Sequence, residues 1–136
     1  MAKVLGKLGA KKARVVHGSD GLDELSTTGP SYVSEYKNGQ VTNFEVSPSE
    51  AGIPLASIED LKGGDAADKA KAMKAMLGGE PGAFRDIVVY TAAAALIIAD
   101  KVGDLKEGAE MAAEAIDTGN SKKALERMVK VTNGKP

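Results

Sequence analysis

The sequence predicts an α/β fold with an incomplete sheet: one buried strand and an edge hairpin, packed with about four C-terminal helices. Three observations point there. Ala13 to His17 is a short β-branched run suited to a strand. Asn38-Gly39 stands between two runs of alternating residues, and Asn-Gly is the preferred pair for a two-residue hairpin turn. From Asp65 onward, apolar residues recur at three- and four-residue spacing, and the segments are closed by glycine.

In chain order, Val4, Leu5 and Leu8 have helical spacing and precede Gly9, as at the tail of a helix. Lys11, Lys12 and Arg14 read as a solvated connection into the strand at Ala13 to His17. An acidic loop follows. The hairpin then pairs Ser31 to Lys37 with Gln40 to Val46, a register that sets Tyr36 against Val41 and Val33 against Phe44. Pro48 opens a helical turn. Ala51 to Gly64 is irregular, with Ile53, Leu55, Ile58 and Leu61 expected to anchor it on the core.

Asp65 is the expected N-cap of the next helix, with Asp68 in its first turn and Ala66, Ala70, Met73 and Leu77 as its apolar stripe. Ala83 to Lys101 is nearly apolar all round, so it should be buried on most sides and closed by Gly103. Asp104 and Glu107 form a capping-box-like pair for a helix whose inner face is Leu105, Ala109, Ala112 and Ile116. Asn120 or Ser121 should cap a last helix packing through Leu125, Met128 and Val129, with a frayed tail from Thr132. The plan is one partial domain over 1–136, with the strand, loop and hairpin in 13–46 and the helical part in 65–132. The sheet is thin for so much helix, which suggests that upstream strands are missing.

Composition narrows the function. With 136 residues and 43% hydrophobic residues the chain suits one domain with a packed core. A net charge of −1, with both signs mixed, gives no footprint for nucleic acid or an acidic membrane surface. The absence of cysteine removes disulfides and thiolate metal sites, and a lone histidine removes a multi-histidine site within the chain. The most apolar run, Ile87 to Ala99, is shorter than the ~20 residues of a membrane span. A soluble, cytoplasmic protein is the expectation.

The chemistry-bearing stretch is Arg14 to Pro30, where Asp20, Asp23 and Glu24 crowd a bend between glycines and hydroxyls. Carboxylates of this kind suit magnesium, which is held by one or two of them plus waters and phosphates. Turns closed by Asp20 and Asp23 on their own backbone are the competing reading. The pattern is not a helix-loop-helix calcium loop. His17 reads as a hydrogen-bonded structural histidine ahead of a catalytic base. Ser26, Thr27 and Thr28 fit phosphate or ribose contacts, or capping and turn roles. Gly63-Gly64-Asp65 reads as a capped helix start, because Asp65 would repel an anion. Neither a phosphate-cradling loop nor a nucleophile elbow is present.

His17-Gly-Ser-Asp-Gly-Leu-Asp-Glu24 followed by Ser26-Thr-Thr-Gly-Pro30 resembles the anthranilate phosphoribosyltransferase family. The likeness continues through the hairpin, Pro48 to Gly52, Leu61-Lys-Gly-Gly-Asp65, Thr91 to Leu96, Glu107-Gly108 and Ala115 to Gly119. It covers nearly the whole chain, but only about the C-terminal two-fifths of the family's enzyme. Lys69 and Thr91 depart from a frequent asparagine.

The resemblance implies the C-terminal α/β domain of the nucleoside phosphorylase/phosphoribosyltransferase-like fold. It implies transfer of phosphoribosyl from phosphoribosyl pyrophosphate to anthranilate in tryptophan biosynthesis. It implies Mg2+ as cofactor, with Asp23 and Glu24 as its ligands. The family's Gly-Thr-Gly-Gly-Asp, Asn-x-Ser-x-x-Thr and Lys-His-Gly-Asn segments and its anthranilate-binding arginine are upstream features, absent here. The expectation is a segment that is catalytic only with the missing N-terminal portion, with a homodimer possible. The alternative is a non-catalytic fold fragment or interaction module reusing the scaffold.

Overall fold

Three antiparallel strands and five α-helices make up the computed structural model, which describes residues 1–134. Helix α1 (Ala2–Lys7) leads into β1 (Lys12–Gly18), β2 (Ser31–Lys37) and β3 (Gln40–Val46). Helices α2 (Ala66–Leu77), α3 (Ala83–Ile98), α4 (Leu105–Asp117) and α5 (Asn120–Thr132) follow. Short 3-10 turns occupy Pro48–Ala51, as expected, and Glu59–Leu61.

The hairpin has the predicted register, with Tyr36 opposite Val41 and Val33 opposite Phe44. Asn38 at φ 52° and Gly39 at φ 82° make its turn, a backbone those two residues adopt at least cost. β1 pairs with the other side of β2, so the order is β1-β2-β3 and both outer strands are edges. Ser31, Val33 and Val46 face the core. The opposite face is partly closed by α1, where a side chain at Gly6 would overlap the Tyr36 ring.

β1 is half-buried rather than buried, because it has a neighbour on one side only. Lys12 and Arg14 belong to it and are not a solvated connection. Lys12 pairs with Asp100, while Arg14 donates to Glu35 at 2.7 Å and lies 5.5 Å over the Phe44 ring.

Helix α3 is the centre of the core. Its Val89, Tyr90, Ala93 and Ala94 meet Leu105, Ala109, Ala112 and Ile116 of α4, all four of the predicted inner-face residues. The two helices touch backbone to backbone: a Cβ at Gly108 would stand 2.8 Å from the Ala93 Cα. Asp104 caps α4 by accepting from the Glu107 amide at 2.9 Å, and Glu107 accepts in turn from Gly103 at 2.7 Å. Arg85 adds a two-pronged bond to Asp117 at 2.7 and 2.9 Å, tying the start of α3 to the end of α4.

Several expectations fail. Helix α3 ends at Ile98, and the chain reverses at Asp100 (φ 54°) rather than at Gly103. Asp65 does cap α2, accepting from Ala67 and Asp68. The predicted stripe is not the buried one, however: Ala66, Ala70 and Met73 are exposed, Leu77 is half-buried, and Met76 is the buried residue. α2 touches the core at its C-terminal end alone.

Ile53 anchors the irregular segment, whereas Leu55 and Ile58 are exposed. Gly119, at φ 74°, occupies the N-cap of α5 without a side-chain cap, in place of Asn120 or Ser121. α5 buries no residue; Leu125 is half-buried, and Met128 and Val129 are exposed. It packs along one side of α4, and its Leu125 and Val129 line an open groove shared with Leu77 at the end of α2. Thr132 ends α5, and residues 135–136 of the tail lie outside the described residues. Among the described residues no helix is long and apolar enough to cross a membrane.

The α3–α4 contact makes a direct prediction. Gly108→Val should push the helices apart and cost about 1–3 kcal/mol of stability, since the clash is with backbone and not with a movable side-chain tip. Chemical denaturation reads this; an unchanged midpoint would contradict the close approach.

Candidate functional site

The acidic loop runs from the end of β1 to the start of β2 and is laced shut by its own backbone. Ser19 donates to the Pro30 carbonyl at 3.0 Å, which brings the two ends of the loop together. Gly18 donates to Leu22 at 2.9 Å and Gly21 to Gly18 at 3.0 Å, forming a tight turn with Gly21 at φ 92°. Leu25, Ser26 and Thr27 run beneath as a buried floor, and the Thr27 carbonyl accepts from Ala56 at 2.9 Å.

The three carboxylates have different surroundings. Both oxygens of Asp20 accept hydrogen bonds. One oxygen accepts from the Leu22 amide at 3.0 Å; the other accepts from the Ser26 hydroxyl and from the Thr28 hydroxyl at 2.6 Å. Burial alone would raise its pKa, but the bonds from Ser26, Thr28 and Leu22 outweigh this and hold it below the ordinary aspartate value.

Asp23 is exposed and Glu24 half-buried; neither side chain accepts a hydrogen bond or meets a cation among the described residues. Glu24 borders a cleft of about 320 Å3 lined also by Leu22, Ile58, Leu61, Lys62 and Phe84. Burial there, and then the charges of Asp23 and Asp20, raise its pKa above the ordinary glutamate value.

The Ser26 and Thr28 hydroxyls take the turn role, whereas the buried Thr27 hydroxyl makes no hydrogen bond among the described residues. The Ser26 amide donates to the Ser31 hydroxyl at 2.8 Å, and the Thr28 amide to the Ser26 hydroxyl at 2.9 Å. His17 is exposed rather than buried, because its side chain lies on the uncovered face of the sheet, 6.3 Å from the Tyr32 ring. It makes no side-chain hydrogen bond among the described residues, so the expected structural role is not seen. Residue types alone placed Asp20, Asp23 and Glu24 in one group; the available signal for separating Asp20 was the pair of hydroxyls six and eight residues downstream.

The chemistry of this donor set suits a hard divalent cation. Asp23 and Glu24 offer uncommitted carboxylate oxygens, and of the causes that raise Glu24, burial first and then the charges of Asp23 and Asp20, the charge part is what a cation would relieve. No cluster of three or more ligating side chains occurs among the described residues, so a cation here would draw the rest of its shell from water or a phosphorylated ligand.

Comparison with known proteins agrees with this fold. The profile of the glycosyl transferase family, a/b domain, matches residues 1–122. An anthranilate phosphoribosyltransferase of Paramagnetospirillum magneticum is 58% identical over 133 residues, covering 98% of this chain and 38% of that protein. The crystal structure of anthranilate phosphoribosyltransferase from Thermus thermophilus superposes with a TM-score of 0.82 at 37% identity, over 93% of this chain and 37% of that one. The Saccharomyces cerevisiae enzyme in complex with PRPP and Mg shares the fold, with a TM-score of 0.77 at 24% identity over 83% of this chain and 33% of that one. The chain thus spans about two-fifths or less of the length of the relatives it matches, and over that span it belongs to the glycosyl transferase family, a/b domain.

Proposed function

We propose that this chain is the C-terminal segment of an anthranilate phosphoribosyltransferase, and that Asp23 and Glu24 hold its magnesium. The complete enzyme would move phosphoribosyl from phosphoribosyl pyrophosphate to the amine of anthranilate and release pyrophosphate. The observation that carries the reading is the 58% identity to such an enzyme across 98% of the chain. The uncommitted carboxylates on the acidic loop support the metal assignment.

Magnesium, when bound, neutralises negative charge on the departing pyrophosphate. The chain's own work is placement. β1 and the loop lacing would fix the backbone that carries Asp23 and Glu24, so both carboxylates start from one bend when a cation arrives. Both residues act by charge and position, not by proton transfer. The donor-phosphate loop and the anthranilate arginine of the family belong to the remaining part of the enzyme. That part would also pair with the free edge of β1.

Completion is the first test. The isolated chain should show no phosphoribosyl transfer, and mixing it with a separately made upstream portion should restore turnover. Activity of the isolated chain, or none in the mixture, would contradict the proposal. In that reconstituted enzyme, Asp23→Asn with Glu24→Gln should lower magnesium-dependent turnover by about 100-fold or more. An unchanged rate across a magnesium titration would remove both residues from the metal site.

The pH dependence follows from Glu24. Its raised pKa means that it takes up a proton sooner than an ordinary glutamate (4.5) as pH falls, and a protonated carboxyl is a poor ligand. Magnesium affinity should therefore begin to weaken above the usual glutamate range. Glu24→Gln should remove that part of the profile, and isothermal titration at stepped pH measures it.

A further inference from the structure

We infer that Asp20 is the positioning residue of the Asp23–Glu24 pair: its carboxylate gathers the loop so that its two neighbours stay free to meet a divalent cation. The inference rests on the proposed magnesium role of Asp23 and Glu24.

Both oxygens of Asp20 are engaged by the protein itself. One oxygen takes the Leu22 amide, and the other takes both the Ser26 and Thr28 hydroxyls. The oxygen that takes both hydroxyls has filled its two lone pairs, so that oxygen is committed to the loop. Ser26 is wholly buried, and its hydroxyl also accepts from the Thr28 amide at 2.9 Å, so the acceptor network reaches the backbone on both sides of the loop. The seat is also shaped by glycine: a Cβ at Gly18 would lie 2.5 Å from the Asp20 carboxylate oxygen and 2.9 Å from the Ser26 Cβ. Leu22, the residue whose amide Asp20 fixes, stands immediately before Asp23. Releasing Asp20 would free the turn that carries both proposed ligands.

Substitutions that keep all three carboxylates separate placement from charge. Ser26→Ala with Thr28→Val removes the hydroxyl donors, and Gly18→Ala independently crowds the seat. Thr28→Ser keeps a hydroxyl and should behave as wild type. Two readouts on the 136-residue chain are needed: amide hydrogen exchange at Leu22, Asp23 and Glu24, and the Mn2+ concentration that half-broadens the Asp23 and Glu24 amide resonances. The double variant and Gly18→Ala should each speed Leu22 exchange about tenfold and raise the Mn2+ midpoint about tenfold, with Thr28→Ser within about twofold of wild type.

Unchanged Leu22 exchange in both variants, or an unchanged Mn2+ midpoint despite faster exchange, would overturn the role of Asp20. If Mn2+ fails to broaden Asp23 and Glu24 in the wild-type chain, the ligand assignment falls instead. Leu22 exchange then still decides whether Asp20 holds the loop.

Discussion

The hydrogen bonds accepted by Asp20 are the constraint on which the acidic loop depends. A loop from β1 to β2 has to turn the chain through an antiparallel reversal while carrying three negative charges within five residues. Left to itself, such a segment would extend to separate the charges. Drawing one carboxylate into two hydroxyls and an amide replaces that tendency with a closed turn, because bonds to an ionised acceptor are roughly twice as strong as neutral ones. The strand supplies the entry and the Ser31 hydroxyl, wholly buried at the start of β2, fixes the exit.

The helical part holds this loop in place from below. Leu25, the residue after Glu24, is buried in the same core as Val89, Tyr90 and Ala93 of α3. α3 in turn is fixed against α4 by the glycine contact at position 108 and by the Arg85–Asp117 bond, whose hydrogen bonds raise the Arg85 pKa and lower that of Asp117. The loop therefore has a stiff support under its buried residues and open solvent over Asp23. Rigidity below and access above are what a metal-ligand loop needs.

Local chemistry decided which parts of this arrangement were legible in the sequence. Asn38-Gly39 has one favoured backbone, so the hairpin register followed from it. The inner face of α4 was legible because Leu105, Ala109, Ala112 and Ile116 repeat at helical spacing and α3 is present to receive them. The same spacing in α5 named a face that stays largely exposed among the described residues, since periodicity tells which side is apolar and not what covers it. The reversal at Asp100 was hidden because aspartate seldom takes a left-handed backbone, whereas a glycine stood three residues on. For the site, residue types marked the loop, but they did not divide its carboxylates. That division depends on Ser26 and Thr28 returning to Asp20 through a closed loop, a relation fixed by tertiary structure.

The fate of the loop's own donors explains why Asp23 and Glu24 remain unpaired. The amides of Gly18, Ser19, Gly21, Leu22, Ser26 and Thr28 are each already given to a neighbouring oxygen. The hydroxyls of Ser26 and Thr28 go to Asp20. These six amides and two hydroxyls are thus committed to building the bend, and Glu24 keeps a pKa raised by burial and by the charges of Asp23 and Asp20. Relieving that repulsion by turning Glu24 onto one of these amides would break a bond that shapes the loop. A cation relieves it without breaking any. On the proposed reading, the bonds that give the loop its shape are the ones that would leave Asp23 and Glu24 to a cation.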